Sequence, residues 1–391
     1  MSLVQNTCMG LKALPTLFKQ SHRSKARLLI SPFSKYKSQF HCRYVSTITN
    51  KVLTKDDKRE FMAVFPDIVR DLTETHTPEI NLLFSKVLQY NVSGGKKIRG
   101  LTAVFSYRLL AKPEDLTEEN IRLSQILGWC IEMLQAFVIM CDDIEDNSEI
   151  RRGRPCWYKL PEVGLRAISD ALLVECGIYN LLKKYFSHKQ CYTQLIELFH
   201  DATFRTVCGQ SLDCNTALLK SFGSRYTMDR YNNIIRLKTS YYSFHLPVAV
   251  AMYQADIHDP ELHRQARSVL LELGRYFQVQ DDFLDVFGES DDTGKIGSDI
   301  QDAKCTWLAV VAMHKANSKQ RVLFEECYGS QDPEKIAAVK KLYEKLGLPA
   351  LYAAFEEETY NLIFTQIQQL SQGLPHDLFF ALLDKIHKRD R

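Results

Sequence analysis

Asp142-Asp143-Ile144-Glu145-Asp146 and Asp281-Asp282-Phe283-Leu284-Asp285 are two copies of one pattern, Asp-Asp-x-x-Asp, and each closes a long apolar segment with helical spacing. On a helix the first and fifth positions lie one turn apart on the same face. Asp142 and Asp146 therefore point the same way, as do Asp281 and Asp285. Followed backward, the first face reads Ile131, Leu134 or Gln135, Val138, Asp142, Asp146. The second reads Ala266, Val269 or Leu270, Leu273, Phe277, Asp281, Asp285. A stripe that should face a core turns acidic in its last turns.

Such placement is unfavourable without cations. Like charges at i,i+4 repel, and carboxylates near a helix C-terminus oppose its dipole. Ions buried without partners cost several kcal/mol each. Oxygen ligands with no His or Cys cluster nearby point to a hard ion such as Mg²⁺, which takes one or two carboxylates and completes its shell with water and phosphate oxygens. One such run alone reads as a solvated acidic helix end. Two, each continuing an inward apolar stripe, read as the walls of a site for metal ions and a diphosphate.

Outward from these runs the chain is helical in pattern. Of its 391 residues 45% are hydrophobic and 25% charged, enough to bury a large core. From about residue 56 apolar residues recur at three and four, no Asn-Gly or Asp-Gly marks a tight hairpin, and Pro or Gly punctuation falls between some ten or more helices. No low-complexity linker interrupts this region. The expectation is an all-α fold, a single large helical bundle around a central active-site cavity.

The first 55 residues differ in kind. They hold ten Lys and Arg and no Asp or Glu, so of the net charge of +3 the remainder carries −7. An acid-free, basic, Ser-rich start reads as a mitochondrial transit peptide, with Arg43-Tyr44-Val45-Ser46 as a processing site. Residues 1–47 are assigned to this leader, cleaved or disordered, and 48–391 to the helical domain. Matrix localisation follows; a cytoplasmic protein with a disordered extension is the alternative. A weakly acidic body excludes nucleic acid as a partner by charge. No uncharged apolar run reaches the about 18 residues of a membrane span. Eleven scattered cysteines, with no Cys-x-x-Cys, suggest free thiols rather than a disulfide framework.

A diphosphate site also needs cations. Gly94-Gly95-Lys96-Lys97-Ile98-Arg99-Gly100 opens a helix, where glycines let backbone N–H groups approach an anion. Arg151-Arg152-Gly153-Arg154 follows the first acidic run, either as a phosphate clamp or as a partner for the neighbouring aspartates. Lys295 and Lys304 flank the segment after the second run, which reads as a lid, and Lys238-Thr239 stands near the start of an uninterrupted helix.

In order and spacing these pieces, with Gln135-Ala136-Phe137, Gly209-Gln210-x-x-Asp213 and Phe277-Gln278-x-Gln280 before Asp281, resemble the trans-isoprenyl diphosphate synthases, the farnesyl-forming branch above all, from about residue 56 to the C-terminus. The resemblance implies Mg²⁺, three per site with Mn²⁺ able to substitute, held by Asp142, Asp146 and Asp281. Asp143, Asp213, Asp282, Asp285 and Lys304 would support these ligands or the lid. Arg151, Lys238 and Lys295 would bind an allylic diphosphate, dimethylallyl or geranyl. Lys96, Arg99, Gln135 and Arg152 would bind isopentenyl diphosphate. Thr239, Gln278 and the Lys238 carbonyl would face the allylic cation as neutral dipoles, where a basic group would be alkylated. A homodimer is expected from the family.

Departures matter too. Phe137 and Val138 stand where animal farnesyl synthases carry two aromatics, so Val138, about 5.4 Å along the helix from Asp142, opens the floor that measures chain length. His245 replaces a usual tyrosine, and the basic ending from Lys385 contains Asp390. A geranyl or geranylgeranyl synthase would keep every motif and differ at that floor. A terpene cyclase would lack the second acidic run, and a non-catalytic partner subunit tends to lose aspartates or the basic pair.

Overall fold

Two helices of 28 residues form the frame: α5 (Glu118–Glu145) and α11 (Pro260–Phe287). Each starts at a capped turn. Thr117 accepts a hydrogen bond from the Asn120 N–H, and the Asp259 carboxylate accepts from the Glu261 N–H beside Pro260 at the first helical position. Each carries its acidic run at the far end, so the caps set where the carboxylates fall. The computed structural model describes residues 54–74, 77–219, 221–288 and 297–387. The 1–47 leader, Lys295 and the basic end 388–391 lie outside them.

Around the frame the order is α1 (Lys55–Ala63), α2 (Phe65–Thr73), α3 (Pro78–Asn91) and α4 (Ile98–Leu110) before α5, then α6 (Ala167–Phe186) and α7 (Tyr192–Cys214). A short α8 (Phe222–Arg225) and α9 (Met228–Ile235) lead through a π-helical segment (Arg236–His245) into α10 (Leu246–Gln254). After α11 come α12 (Trp307–Lys315), α13 (Ser318–Cys327), α14 (Pro333–Lys345), α15 (Leu348–Gln368) and α16 (His376–His387). The described residues belong to one unit, Val45–Arg391, and the expected all-α architecture holds. Buried residues form three clusters: one around α5, one around α12 and α14, and one where α11 meets α15 and α16. Helix α5 is long and apolar enough to span a bilayer, yet 83% of its most apolar window is buried in the fold. It is a core helix.

Two local features depart from the sequence reading. Between α5 and α6 lies an antiparallel pair, β1 (Ile150–Arg151) and β2 (Arg154–Pro155), in register Ile150↔Pro155 and Arg151↔Arg154. Its two turn residues, Arg152 and Gly153, both have positive φ, 54° and 73°, the geometry usually signed by Asn-Gly. Here tertiary bonds hold the arginine in that conformation: Arg152 Nη1 donates to Gly94 O at 2.9 Å and to Asn91 O at 3.4 Å. Second, Lys238 and Thr239 sit in the π segment, where successive turns hold an extra residue. Glycines pinch that segment from two sides. A Cβ on Gly209 of α7 would lie 2.2 Å from Lys238 N, and one on Gly274 of α11 would lie 2.4 Å from Ser240 Oγ.

Candidate active site

The ends of α5 and α11 open on one cavity of about 900 Å³, lined by Asp142 and Asp146 from the first run and Asp281 and Asp282 from the second. Arg151, Asp213, Lys238, Thr239, Gln278 and Lys304 complete its polar wall. Residues up to 162 positions apart in sequence therefore share one surface.

The cations of the cavity rest on its carboxylates. Lys238 Nζ lies 3.1 Å from Asp142 Oδ1 and 2.7 Å from Asp213 Oδ2. Lys304 Nζ lies 2.7 Å from Asp146 Oδ2 and 3.6 Å from Asp213 Oδ2. Burial opposes ionisation of Asp142, but Lys238 and Lys304, with Arg151, outweigh it and hold that carboxyl below its usual value. Asp213 is lowered by the same two lysines against its burial. Asp146 is pushed up, first by burial and then by Asp142. Burial would lower Lys238, but Asp213 and Asp142 raise it above an ordinary lysine. The two facing aspartates of the first run are thus driven apart in acidity, as expected of like charges one turn apart.

The second aspartate of each run has a different task. Asp143 turns out of the cavity to take two bonds from Arg151, from Nε at 2.9 Å and from Nη2 at 2.6 Å. Arg151 Nη2 also reaches Asp142 Oδ2 at 3.5 Å, so the arginine is both clamp and carboxylate partner. Asp282 is 4% exposed and accepts from Tyr231 Oη at 2.6 Å, the Trp307 N–H at 2.8 Å and Gln278 Nε2 at 3.0 Å. It fixes the Gln278 amide and the first turn of α12; its own carboxyl is raised, chiefly by burial. Asp285 is not among the cavity-lining residues. Its Oδ2 accepts from the Asp299 N–H at 3.0 Å, and the Gly297 Cα lies so close that a Cβ would sit 1.9 Å from Asp285 O. It pins the chain where it returns to the described residues after the segment holding Lys295.

A second cationic region lies at the 94–100 turn. The Arg152 guanidinium lies over Gly95, whose added Cβ would come within 3.0 Å of Cζ. Burial, against the attraction of Glu132 and helped by the repulsion of Arg151, Arg99 and Arg154, holds Arg152 below the ordinary arginine value. Positive charges held together at such a cost make this turn a candidate anion site. Arg99 is aimed from across the fold: its Nε and Nη2 donate to Ser243 Oγ at 3.0 and 2.8 Å, and its guanidinium stacks 4.9 Å from the Tyr242 ring centre. Lys96 is exposed beside it. Gln135 carries a buried Oε1 with no hydrogen-bond partner, an atom left for a ligand or water. Phe137 is buried and Val138 half-buried in the core around α5; neither lines the polar cavity. His245 packs edge-on to Tyr241, and burial, with Arg267 and His263, lowers it to about 3, so its imidazole is neutral. At the end of α16 His387 Nδ1 meets Tyr276 Oη at 3.0 Å, five residues before Asp281 on α11.

The sequence reading missed Tyr231, Tyr242 and Ser243, whose partners lie 51, 143 and 144 residues away. It also passed over Lys97. Nothing in Lys96-Lys97 says which lysine turns inward; in the fold it is Lys97.

The donor set fits Mg²⁺. Among the described residues no three carboxylates, imidazoles or thiols converge as a protein-only cage would require. Carboxylates spread over two helix ends suit an ion that takes one or two from the protein and the rest from water and phosphate.

Comparison with known proteins agrees. The Polyprenyl synthetase family profile matches residues 81–346. A farnesyl pyrophosphate synthase of Nezara viridula is 59% identical over 89% of this chain and 87% of its own. One of Gallus gallus is 45% identical over 87% and 94%. The solved structure of a T. brucei farnesyl diphosphate synthase complexed with a bisphosphonate superposes with a TM-score of 0.80 at 30% identity, covering 86% of this chain and all of that one. With paired acidic helix ends over one cavity and identity of this extent, the chain belongs to the polyprenyl synthetase family, that of the trans-isoprenyl diphosphate synthases.

Proposed function

We propose that this enzyme condenses isopentenyl diphosphate head-to-tail with dimethylallyl diphosphate and then with geranyl diphosphate, releasing pyrophosphate and forming farnesyl diphosphate. The observation that carries this is the pairing of an acidic cavity, able to take a metal-bound diphosphate, with a separate arginine-rich turn able to take a second diphosphate. The relatives named above supply the farnesyl product.

Asp142, Asp146 and Asp281 would hold Mg²⁺, three ions per site by family expectation, with Mn²⁺ as a substitute. Bound there, the ions supply Lewis-acid stabilisation of the departing pyrophosphate. The chain's own groups do the rest. Lys238 and Arg151, with Lys295, hold the allylic diphosphate and add positive charge where negative charge develops. Lys96, Arg99, Arg152 and Gln135 orient isopentenyl diphosphate so that its double bond faces the allylic carbon. Thr239 Oγ, the Lys238 carbonyl and the Gln278 amide, locked by Asp282, offer dipoles to the cation without a nucleophilic base. A pyrophosphate oxygen takes the proton, so no side-chain base is required.

The test is turnover by the purified chain alone with Mg²⁺, dimethylallyl and isopentenyl diphosphates, followed by chromatography of the product. A C15 alcohol after phosphatase treatment supports the reading. A C10 or C20 product reassigns the chain to the geranyl or geranylgeranyl members, and no turnover to a regulatory subunit.

A homodimer is part of this proposal. Helices α6 and α7 pack together and expose Ile168, Leu172, Phe204 and Val207, with Phe204 70% exposed. An apolar face of this kind on two adjacent helices suits a second copy of the chain; light scattering of Phe204→Glu should report monomer. Delivery to the mitochondrial matrix by the basic leader is likewise proposed, and import of a fusion carrying residues 1–55 tests it.

A further inference from the structure

Lys97 is 2% exposed, a rare place for a lysine. Its backbone is left-handed, φ 59°, and it is the residue that opens α4, its carbonyl accepting from the Leu101 N–H at 3.0 Å. This sends the side chain inward. The ammonium donates to the carbonyl oxygens of Val92 and Gly94, lies 3.6 Å from Glu132 Oε2 and sits 5.4 Å from the centre of the Trp129 ring. The other oxygen of Glu132 accepts from the Gly100 N–H at 2.9 Å. Glu132 is carried into place by a close crossing of α4 and α5, where a Cβ on Gly128 would lie 2.7 Å from Gly100 O.

Both ends of the 94–100 turn are therefore tied to one buried ion pair, and Lys96 and Arg99 stand between the tied points. A buried ion pair is a weak source of stability compared with apolar groups of the same volume. What this one does supply is the shape of the turn.

We propose that Lys97 and Glu132 are a positioning pair for the isopentenyl diphosphate site, holding the turn in the shape that brings Lys96 and Arg99 to a single diphosphate. The inference rests on the assignment of Lys96 and Arg99 made above. It gives that subsite its own pH dependence. The charged groups facing Lys97 are Glu132 from α5, Arg152 from the hairpin turn and Lys58 from α1. Burial, ahead of the attraction of Glu132 and the repulsion of Arg152 and Lys58, pulls the ammonium down to about 8. Below that pH the tie is ionic; above it the charge is gone. Stability moves the other way. Between about 8 and the ordinary 10.5 the folded chain has released a proton that the unfolded chain keeps, so this group favours folding more as pH rises.

The experiment measures KM for isopentenyl diphosphate and for geranyl diphosphate from about pH 7 to about pH 9.5, with saturating Mg²⁺, for the full-length wild type, Lys97→Met and Lys97→Arg. In the wild type the isopentenyl KM should rise several-fold through pH 8 while the geranyl KM stays level. Lys97→Met should raise the isopentenyl KM about tenfold at pH 7 and flatten its pH dependence. Lys97→Arg, charged throughout, should restore a low KM above pH 8. The inference is overturned if the two KM values move together, or if their ratio in the wild type is flat across the range. That second result decides the matter even if Lys97→Met fails to fold. A wild type with no prenyl transfer would overturn the assignment of the site, and this inference with it.

Discussion

Replacing Gly209 by alanine should damage catalysis far more than folding. The new Cβ would lie 2.2 Å from Lys238 N and 2.6 Å from Lys238 Cα, against backbone that cannot rotate aside. Ordinary contact begins near 3.4 Å, so α7 and the π segment must part by about 1.2 Å. The segment cannot simply recede, because Ser240 already abuts Gly274 on the other side, where an added Cβ would meet Ser240 Oγ at 2.4 Å. The displacement therefore falls on Lys238 and Thr239, and it shifts Asp213, one turn along α7 and 2.7 Å from Lys238 Nζ. Overpacking of this kind costs about 1–3 kcal/mol of stability, a few degrees in Tm for a chain of this size. Misplacing a catalytic group by about 1 Å costs about a hundredfold in rate. We expect Gly209→Ala to fold, to lose a few degrees and to lose about two orders of magnitude in kcat. Gly223→Ala is the control, because a Cβ there meets nothing within 4 Å. Calorimetry and steady-state product formation with geranyl and isopentenyl diphosphates measure both quantities. A Gly209→Ala enzyme with kcat within about twofold of wild type would refute the idea that this approach places Lys238.

Asp281→Ala should lower kcat by orders of magnitude, since metal stabilisation of the leaving group acts in the transition state, while circular dichroism of the metal-free protein stays that of a folded helical chain; unfolding on this change would make the residue structural. Asp213 is held below its ordinary 3.8 by Lys238 and Lys304 against burial, so its stabilising share is complete above 3.8 and lost as pH falls through the lower folded value. Urea unfolding of metal-free Asp213→Asn should accordingly show a flatter loss of stability below about pH 4 than wild type, and an unchanged slope would count against the pairing. If Phe137 and Val138 form a chain-length floor below the polar cavity, Phe137→Ala should shift product toward C20 and Val138→Phe should reduce turnover of alkyl-branched primers relative to geranyl diphosphate, at about 0.8 kcal/mol per CH₂ of space removed; product chromatography reads both, and a branched-to-geranyl ratio untouched by Val138→Phe would mean the space does not meet the growing chain.

Much of this site was legible because its chemistry is local. Asp142 with Asp146, and the arginines five or more residues on, lie within two helical turns and a hairpin, so spacing alone brings them together. The same reasoning placed Asp285 beside Asp281 on one face, but sequence spacing does not reveal that the chain returning at Gly297 takes up the second carboxylate. The hairpin was invisible because its turn is Arg152-Gly153, and an arginine adopts positive φ there only under the bonds it makes to Asn91 and Gly94. The π segment was invisible because its apolar residues still recur at three and four. The contacts that surround it are external too: Gly209 and Gly274 on neighbouring helices let Lys238 and Ser240 approach closely from two sides.

The electrostatics follow a further rule that no spacing displays. Carboxylates proposed to hold metal ions would repel one another in their absence, and so would the lysines beside them. Here each set neutralises the other: Lys238 lies between Asp142 and Asp213, and Lys304 between Asp146 and Asp213. Asp213 belongs to neither acidic run, yet it touches both lysines and holds them in the cavity wall beside Asp142 and Asp146. When a metal-bound diphosphate arrives, it brings positive charge for the aspartates and negative charge for the lysines together. Asp142 and Asp146 would then gain metal charge as Lys238 turns to the diphosphate, while Lys304 can stay on Asp213, so the exchange avoids the penalty of a lone buried charge. Either component alone would strand one set. The arrangement therefore favours metal and diphosphate binding as a pair over either singly, which titration calorimetry of Mg²⁺ with and without inorganic pyrophosphate would show as tighter binding of each in the presence of the other.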